Sequence, residues 1–202
     1  MQPFDSVTGK AAPILASNVD TDVIMPKQFL KGIDRSGLDK GVFFDLRFLE
    51  SGEPNPDFVL NRPAWSGARF LVTGPNFGCG SSREHAVWGL RQLGIRALIG
   101  TSFAGIFHDN CLRNGVLVIQ LCQTQLQALG RVVSDGASAT LTVDLPNQQI
   151  RLSDGSSIGF AIDELRKQAL LLGLDAIGST LRRAVQIRDF EARYHAAHPW
   201  LG

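Results

Sequence analysis

The sequence predicts an α/β fold, with a parallel-stranded βαβ core followed by an antiparallel β meander and C-terminal helices. Short apolar runs typical of buried strands alternate with stretches of helical spacing in the first half. The apolar runs occupy residues 68–73, 96–100 and 116–121, and helical stretches lie between them at residues 86–93 and 102–113. Strand, helix, strand, helix, strand is the order of an α/β unit with parallel strands. Ligands bind at loops on the carboxyl ends of such strands.

The second half of the chain has a different pattern. Residues 140–145 and 149–152 alternate between polar and apolar side chains, with a turn at Pro146 and Asn147 between them. This alternation predicts an antiparallel meander. Helical spacing returns in three further stretches, at residues 123–133, 163–172 and 184–195.

The length and composition favour one domain over residues 1–202. The chain has 202 residues, of which 44% are hydrophobic, and this is enough to bury a sizeable core. We expect Val7, Ile14 and Leu15 in that core, together with Cys111 and Cys122 as small apolar residues.

Several classes of protein are disfavoured by the sequence. The formal net charge of +1 gives no reason to expect nucleic-acid binding, and no apolar run approaches the roughly 20 residues that cross a bilayer. Residues 1–26 lack the apolar region of a secretion signal, so we expect a cytoplasmic protein. The three cysteines, Cys79, Cys111 and Cys122, are too widely spaced for a disulfide framework or a self-contained zinc or iron–sulfur site. Any metal centre is therefore expected to come from another chain.

Residues 74–85 are the richest stretch in chemical groups, with three glycines, two serines, a cysteine, an arginine, a glutamate and a histidine. The stretch lies between a predicted strand and a predicted helix, where free backbone N–H groups attract anions. Ser81 and Glu84 have the spacing of a capping box, so Ser81 is the predicted helix N-cap. Arg83 adds a planar guanidinium that can hold a carboxylate in two-point contact. These features predict an anion-binding loop.

Other interpretations of the same loop stay open. A capped helix after a glycine loop can be purely structural, and Cys79 with His85 is a conceivable nucleophile pair. A dinucleotide site is disfavoured because no third glycine follows at the fingerprint position. The Gly-Lys-Ser/Thr ending of a phosphate-binding P-loop is absent.

A second polar segment precedes this loop. Asn18, Asp20 and Asp22 alternate with apolar residues before Pro26 ends the pattern. The segment fits either a strand with one polar face or a turn rich in Asn and Asp. Its carboxylates can orient cationic groups, assist proton transfer or bind a hard cation.

Two motifs carry a resemblance to a known family. Residues 74–86 read Gly-x-Asn-Phe-Gly-Cys-Gly-Ser-Ser-Arg-Glu-His-Ala, and residues 18–26 read Asn-x-Asp-Thr-Asp-x-Ile-x-Pro. They resemble the swivelling domain of the aconitase superfamily and, more narrowly, the small-subunit family of 3-isopropylmalate dehydratase. Further matching segments bring the resemblance to nearly the whole chain, at residues 26–31, 43–48, 101–111 and 173–178.

The resemblance implies a swivelling β/β/α fold and a hydro-lyase activity. The family interconverts 2-isopropylmalate and 3-isopropylmalate in leucine biosynthesis, by removing water to form isopropylmaleate and adding it back. Activity then requires a large partner subunit, in a heterodimer or higher assembly. That partner carries a [4Fe-4S] cluster whose iron holds the leaving hydroxyl as a Lewis acid.

The resemblance also implies roles for individual residues. Ser81, as an alkoxide, is the base that removes the carbon-bound proton, and Asp22 supports proton transfer. Arg83 binds a substrate carboxylate. Further substrate-binding positions are Thr21, Gly80 and Ser82, and a specificity loop begins with Lys27, Gln28, Phe29, Leu30 and Lys31 and extends to about Gly41.

The chain departs from the family pattern at Val87, at residues 178–180 and at residues 40–41, and none of these positions touches Ser81 or Arg83. Two alternatives to the main interpretation stay open. One is the small subunit of a related hydro-lyase that acts on a methyl-substituted malate. The other is a carboxylate-binding assembly subunit without chemistry of its own.

Overall fold

The structure, a computed structural model, describes residues 1–31 and 35–201. Within those residues seven strands form a single sheet. The strands are Ser6–Ile14 (β1), Phe70–Thr73 (β2), Ala97–Gly100 (β3), Leu117–Gln120 (β4), Thr140–Asp144 (β5), Gln149–Leu152 (β6) and Ser157–Gly159 (β7).

Eight α-helices are present in the described part of the chain. They are Thr21–Ile24 (α1), Phe44–Arg47 (α2), Glu84–Gln92 (α3), Gly105–Arg113 (α4), Gln123–Ser134 (α5), Glu164–Leu172 (α6), Ala176–Leu181 (α7) and Ala184–Ala197 (α8). Short 3-10 helices lie at Lys27–Leu30, Leu38–Gly41, Val59–Asn61, Pro63–Trp65 and Pro199–Leu201. No helix among the described residues is long and apolar enough to cross a membrane.

The sheet joins a parallel half to an antiparallel half through β1. The strand order is β4-β3-β2-β1-β5-β6-β7. The pairs β1–β2, β2–β3 and β3–β4 are parallel, whereas β1–β5, β5–β6 and β6–β7 are antiparallel. The predicted α/β class, with a βαβ core, a meander and C-terminal helices, is therefore confirmed.

Each face of the sheet carries its own buried cluster, because successive side chains of a strand point to opposite faces. In β2, Leu71 belongs to the cluster that includes residues of α3 and α4. Its neighbours Phe70 and Val72 belong to the other cluster, which includes residues of α5 and α6. All three strand residues are fully buried, and each contributes about 1.5–3 kcal/mol on burial. The parallel strands are covered on both faces, which explains their continuous apolar runs.

Two of the predicted core residues were placed wrongly. Leu15 is exposed because it follows the last residue of β1 and the alternation ends there. Cys122 is also exposed, since it is the N-cap of α5, where its backbone N–H donates to Gln125 Oε1 (3.2 Å). Ile14 and Cys111 are buried as predicted.

We expect Asp144, at the end of β5, to make a pH-dependent contribution to the stability of the fold. Its buried carboxylate accepts hydrogen bonds from the backbone and side-chain amides of Asn147 (2.9 and 3.0 Å) and from Arg151. These bonds, those of Asn147 first, hold the pKa of Asp144 below its ordinary value. A carboxylate whose pKa is lower in the folded state than in the unfolded state stabilises the fold. This stabilisation is complete above the unfolded pKa of about 3.9 and is lost as pH falls through the folded pKa.

We therefore expect Asp144→Asn to lower the free energy of unfolding by about 1.5–3 kcal/mol at pH 7. The difference from the unsubstituted chain should shrink as pH falls below 4, which urea unfolding at several pH values would measure. Asp189→Asn removes the same charge from the exposed face of α8 and is the matched control. If Asp144→Asn lowered the free energy of unfolding equally at every pH, the stabilisation could not come from the ionised carboxylate of Asp144.

Candidate active site

Three loops meet at the carboxyl ends of β1, β2 and β3. The backbone N–H of Asn18 donates to Pro75 O (2.9 Å), and that of Asn76 donates to Ser102 Oγ (2.9 Å). The side-chain amide of Asn76 also donates to Asn18 Oδ1 (2.8 Å). The loop at residues 74–83 is thus held on both sides, at the edge of the sheet where the sequence placed it.

Two glycines allow this loop its path. Gly78 has φ +77° and Gly80 has φ +85°, a left-handed conformation that glycine adopts without steric cost. A Cβ on Gly78 would lie 2.2 Å from Cγ of Phe107. The loop therefore packs against α4 at Gly78 before it returns to the surface at Gly80.

The prediction that Ser81 caps the central helix is wrong. Helix α3 begins at Glu84, and its N-cap is Arg83, which makes no side-chain capping bond. The carboxylate of Glu84 accepts a hydrogen bond from Asn114 Nδ2 (2.7 Å), a tertiary contact that replaces the expected reach back to Ser81. Ser81 is exposed, and its hydroxyl is hydrogen bonded to no other residue in the described part of the chain. It is therefore free for chemistry.

Thr21 fixes the main chain at Ser81. It is 1% exposed, and its hydroxyl donates to Ser81 O (2.7 Å) while its backbone N–H donates to Cys79 O (2.9 Å). Helix α1 begins at Thr21 because Asp20 is its N-cap and accepts from the N–H of Val23 (2.8 Å). The turn interpretation of residues 18–22 is thus the correct one. The capping role of Asp20 was missed, although an aspartate before a helical turn is the usual signal.

Arg83 and Asp22 form a salt bridge across the two motifs. Arg83 Nη1 donates to Asp22 Oδ1 and lies 3.5 Å from Met25 O. The arginine side chain is 18% exposed and the aspartate side chain 53% exposed. Since a guanidinium has five N–H donors in a planar fork, the pair leaves other donors of Arg83 for a second carboxylate.

An open depression of about 470 Å³ lies beside this salt bridge. It is lined by Asp22, Pro26, Lys27, Gln28, Asp45 and Arg83. Asp45 lies in the first turn of α2 and was missed as a site residue, although it belongs to the matching segment 43–48. Two carboxylates face two cations here, so the depression alone does not carry the positive charge that a dianion would need.

The predicted specificity residues are divided between the depression and the core. Lys27 and Gln28 line the depression, whereas Phe29 and Leu30 are half-buried against the core, with the Phe29 ring 5.0 Å from the ring of Phe44. Lys31 is exposed, as are Gly80 and Ser82. Residues 32–34 of the predicted loop, including Gly32, lie outside the described residues.

Neither a Cys79–His85 pair nor a metal site is assembled in the described residues. The His85 ring packs against Trp88 (4.7 Å between ring centroids). No group of three or more His, Cys, Asp or Glu side chains among those residues could hold a metal ion. Burial also raises the pKa of the Cys111 thiol well above its ordinary value, which opposes the thiolate that metal ligation requires. The side chains described here do not fit an iron–sulfur cluster.

Comparisons with known proteins place the chain in a family. The family model described as the aconitase C-terminal domain matches residues 1–124. The LeuD_N model matches residues 127–164, and the model described as the C-terminal domain of the 3-isopropylmalate dehydratase small subunit matches residues 177–202. The 3-isopropylmalate dehydratase small subunit 1 of Mannheimia succiniciproducens is 60% identical over 201 residues, which cover 100% of this chain and 99% of the relative. The chain belongs to the 3-isopropylmalate dehydratase small-subunit family.

A second small subunit and a solved structure support this family assignment. The small subunit 2 of Salmonella typhimurium is 54% identical, with 100% of this chain and 96% of the relative covered. A crystal structure of 3-isopropylmalate dehydratase from Methanocaldococcus jannaschii has a TM-score of 0.69 at 26% identity and covers 91% of this chain and 99% of its own. The family inferred from the motifs is confirmed.

Proposed function

We propose that this chain is the small subunit of a 3-isopropylmalate dehydratase and supplies one wall of an active site, with the opposite wall on a large subunit. The observation that carries the proposal is the open depression beside residues 74–83, in a chain that matches 3-isopropylmalate dehydratase small subunits over its full length. The name of those relatives as small subunits supports a large partner. The balanced charges of the depression support it too, because further cationic groups are needed to hold a dianion.

In the proposed reaction, loss of water from 2-isopropylmalate gives isopropylmaleate, and its return at the neighbouring carbon gives 3-isopropylmalate. Ser81 accepts the carbon-bound proton in the dehydration step and returns it in the hydration step. A serine hydroxyl is a weak base, so its anion needs oriented donors. No described residue accepts a hydrogen bond from the backbone N–H of Ser82 or of Arg83, and each oriented donor of this kind is worth roughly 3–4 kcal/mol.

The guanidinium of Arg83 positions one carboxylate of the substrate in this proposal. Asp22 holds Nη1 of Arg83 and so sets the orientation of the whole planar group. Lys27 and Gln28, on the rim of the depression, are the specificity residues nearest to the substrate. The [4Fe-4S] cluster is assigned to the large subunit, since the side chains described here do not fit it.

Reconstitution tests the proposal. We expect turnover of 3-isopropylmalate, followed by the ultraviolet absorbance of isopropylmaleate, only when this chain is mixed with a cluster-loaded large subunit of the family. Malates with methyl substituents at carbon 3 should react more slowly than the isopropyl compound. A complex that forms but turns over none of these malates would support the non-catalytic alternative and overturn the proposal.

We expect removal of the buried Thr21 hydroxyl to affect turnover rather than substrate binding. Thr21→Val keeps the shape of the side chain but removes the donor to Ser81 O. We expect kcat to fall roughly tenfold, because small displacements of a catalytic group are costly, with KM changed less than threefold. Steady-state kinetics of the reconstituted enzyme would measure this split.

Thr21→Ser keeps the hydroxyl and is the matched control, expected to retain most of the activity. A rise in KM with kcat unchanged would instead favour the role that the family resemblance implied, direct substrate binding by Thr21.

A further inference from the structure

The C-terminal helix α8 lies outside the protein core. None of its 14 residues is buried, and the structure describes all of them. An isolated helix of this length is marginal in water, since most helical stability in proteins comes from packing of an apolar face. The helix therefore needs a packing partner that residues 1–31 and 35–183 do not supply.

One side of α8 carries a row of large apolar and aromatic groups. Phe190 is 57% exposed, Tyr194 is 41% exposed, and Trp200 just beyond the helix is 74% exposed. The rings form a continuous ladder: centroids are 5.5 Å apart for Phe190–Tyr194, 4.5 Å for Tyr194–His198 and 5.2 Å for His198–Trp200. With Ile187 one turn before Phe190, these residues form what we call the α8 aromatic surface.

The exposed apolar area is close to the apolar share of a standard protein interface. Since aromatic side chains bring about 150–250 Å² each, the exposed parts of Phe190, Tyr194 and Trp200 amount to roughly 400 Å², and apolar groups supply about 56–58% of an interface. Standard interfaces bury about 800 Å² per partner, and their strongest contacts are enriched in Trp, Tyr and Arg.

The charge of the segment argues against a second copy of this chain as the occupant. Residues 176–201 contain four arginines, Arg182, Arg183, Arg188 and Arg193, but two carboxylates, Asp189 and Glu191. Two copies would bring like charges together, which is costly at an interface. An apolar groove with an acidic rim would complement the segment.

The position of the surface in the chain points to the large subunit. The surface lies within residues 177–202, which match a domain particular to small subunits, whereas the aconitase C-terminal domain model ends at residue 124. A domain tethered within a longer chain meets its partner at a high effective concentration, but a separate subunit must bind through its own surface. A docking helix is an addition that only the separate subunit needs.

We propose that the α8 aromatic surface docks into an apolar, acid-rimmed groove on the large subunit and holds the two subunits together. This inference rests on the proposed function, because it names where the proposed partner binds. The depression beside Arg83 is then the catalytic contact with the large subunit, and α8 is an anchoring contact.

The test compares two charge-matched double variants of the full chain. Phe190→Glu with Tyr194→Glu places two carboxylates on the α8 aromatic surface. Ala192→Glu with Ala196→Glu places two carboxylates on roughly the opposite side of the same helix, at 100° per residue. Binding to the cluster-loaded large subunit is measured by calorimetry, and turnover is measured over a range of concentrations of the large subunit.

We expect the Phe190/Tyr194 variant to bind at least 100-fold more weakly, with kcat recovered at saturating large subunit. The Ala192/Ala196 variant should bind within threefold of the unsubstituted chain. Both should keep the melting temperature of the isolated chain, since α8 has no buried residue. This combination would separate docking from folding and from chemistry.

Other outcomes overturn the inference in distinguishable ways. Equal binding by both variants, with the unsubstituted chain active in the complex, would overturn the docking surface and leave the proposed function standing. Self-association of the isolated chain that only the Phe190/Tyr194 variant abolishes would assign the surface to a second copy. If the unsubstituted chain neither binds nor activates the large subunit, the proposed function fails first.

Discussion

Ser81→Ala is expected to lower kcat of the reconstituted enzyme by roughly 10³-fold or more, within the range that a positioned acid–base group contributes. The hydroxyl is exposed and outside the capping arrangement of α3, so the substitution removes a reactive group without removing a structural contact. The bond from Thr21 goes to the backbone carbonyl of Ser81 and survives the change. Binding to the large subunit and the melting temperature should therefore be unchanged.

The proton-transfer role has its own readout. Exchange of the substrate's carbon-bound hydrogen with solvent deuterium should be lost in Ser81→Ala along with turnover. Ser66→Ala removes the same group from an exposed residue outside the site loops and is the matched comparison, with kcat expected to stay within about fivefold, well inside the 10²-fold lower limit of acid–base catalysis. Activity of Ser81→Ala within tenfold of the unsubstituted enzyme would remove Ser81 from the role of base.

The fold could be predicted where local pattern and tertiary environment agree. The apolar runs of β2 and β3 are buried on both faces of the sheet, so their composition alone marks them as central parallel strands. The alternation at residues 140–145 and 149–152 is likewise preserved in the register of β5 and β6. In these segments the local sequence was enough to predict the strands, without knowledge of any distant residue.

The errors arose where a distant residue or the end of an element decides the local structure. Ser81 and Glu84 have capping-box spacing, but Asn114, 30 positions after Glu84, donates to its carboxylate. The start of α3 is thus moved by a partner that spacing cannot show. Leu15 continues an apolar pattern, yet the strand ends before it and its side chain is left exposed.

The contacts among the candidate site residues could not be predicted from the sequence. The resemblance names Ser81, Arg83 and Asp22 as expected site residues, but it does not show which residues hold them in place. The bond from Thr21 to Ser81 spans 60 positions and the pair of Asp22 with Arg83 spans 61. Contacts of this separation follow from the meeting of the three loops at the edge of the sheet.

Arg83→Lys is expected to lower kcat/KM about 10- to 100-fold, because a charged hydrogen bond is worth about 1.5–3 kcal/mol. An ammonium group is a compact point charge without the planar fork of arginine. It would stay beside Asp22, the nearest carboxylate, and could not hold a substrate carboxylate at the same time. Both kcat and KM should worsen, since the substrate is then held less firmly and oriented less well.

Arg62→Lys is the matched control, because Arg62 also pairs with an aspartate (Asp57, 3.9 Å) but does not line the depression. Its kcat/KM should be unchanged. Unaltered kinetics in Arg83→Lys would remove Arg83 from the substrate contact.

The role of Asp22 then follows from a double-mutant cycle. If Asp22 acts by orienting Arg83, Asp22→Asn should lower kcat/KM by roughly three- to fivefold, less than the 10- to 100-fold expected for Arg83→Lys. Adding it to Arg83→Lys should cost little more than Arg83→Lys alone, because residues that act through one contact are not additive. Additive losses would mean that Asp22 takes part in proton transfer independently of Arg83. The cycle therefore distinguishes a positioning residue from a second catalytic group within the same salt bridge.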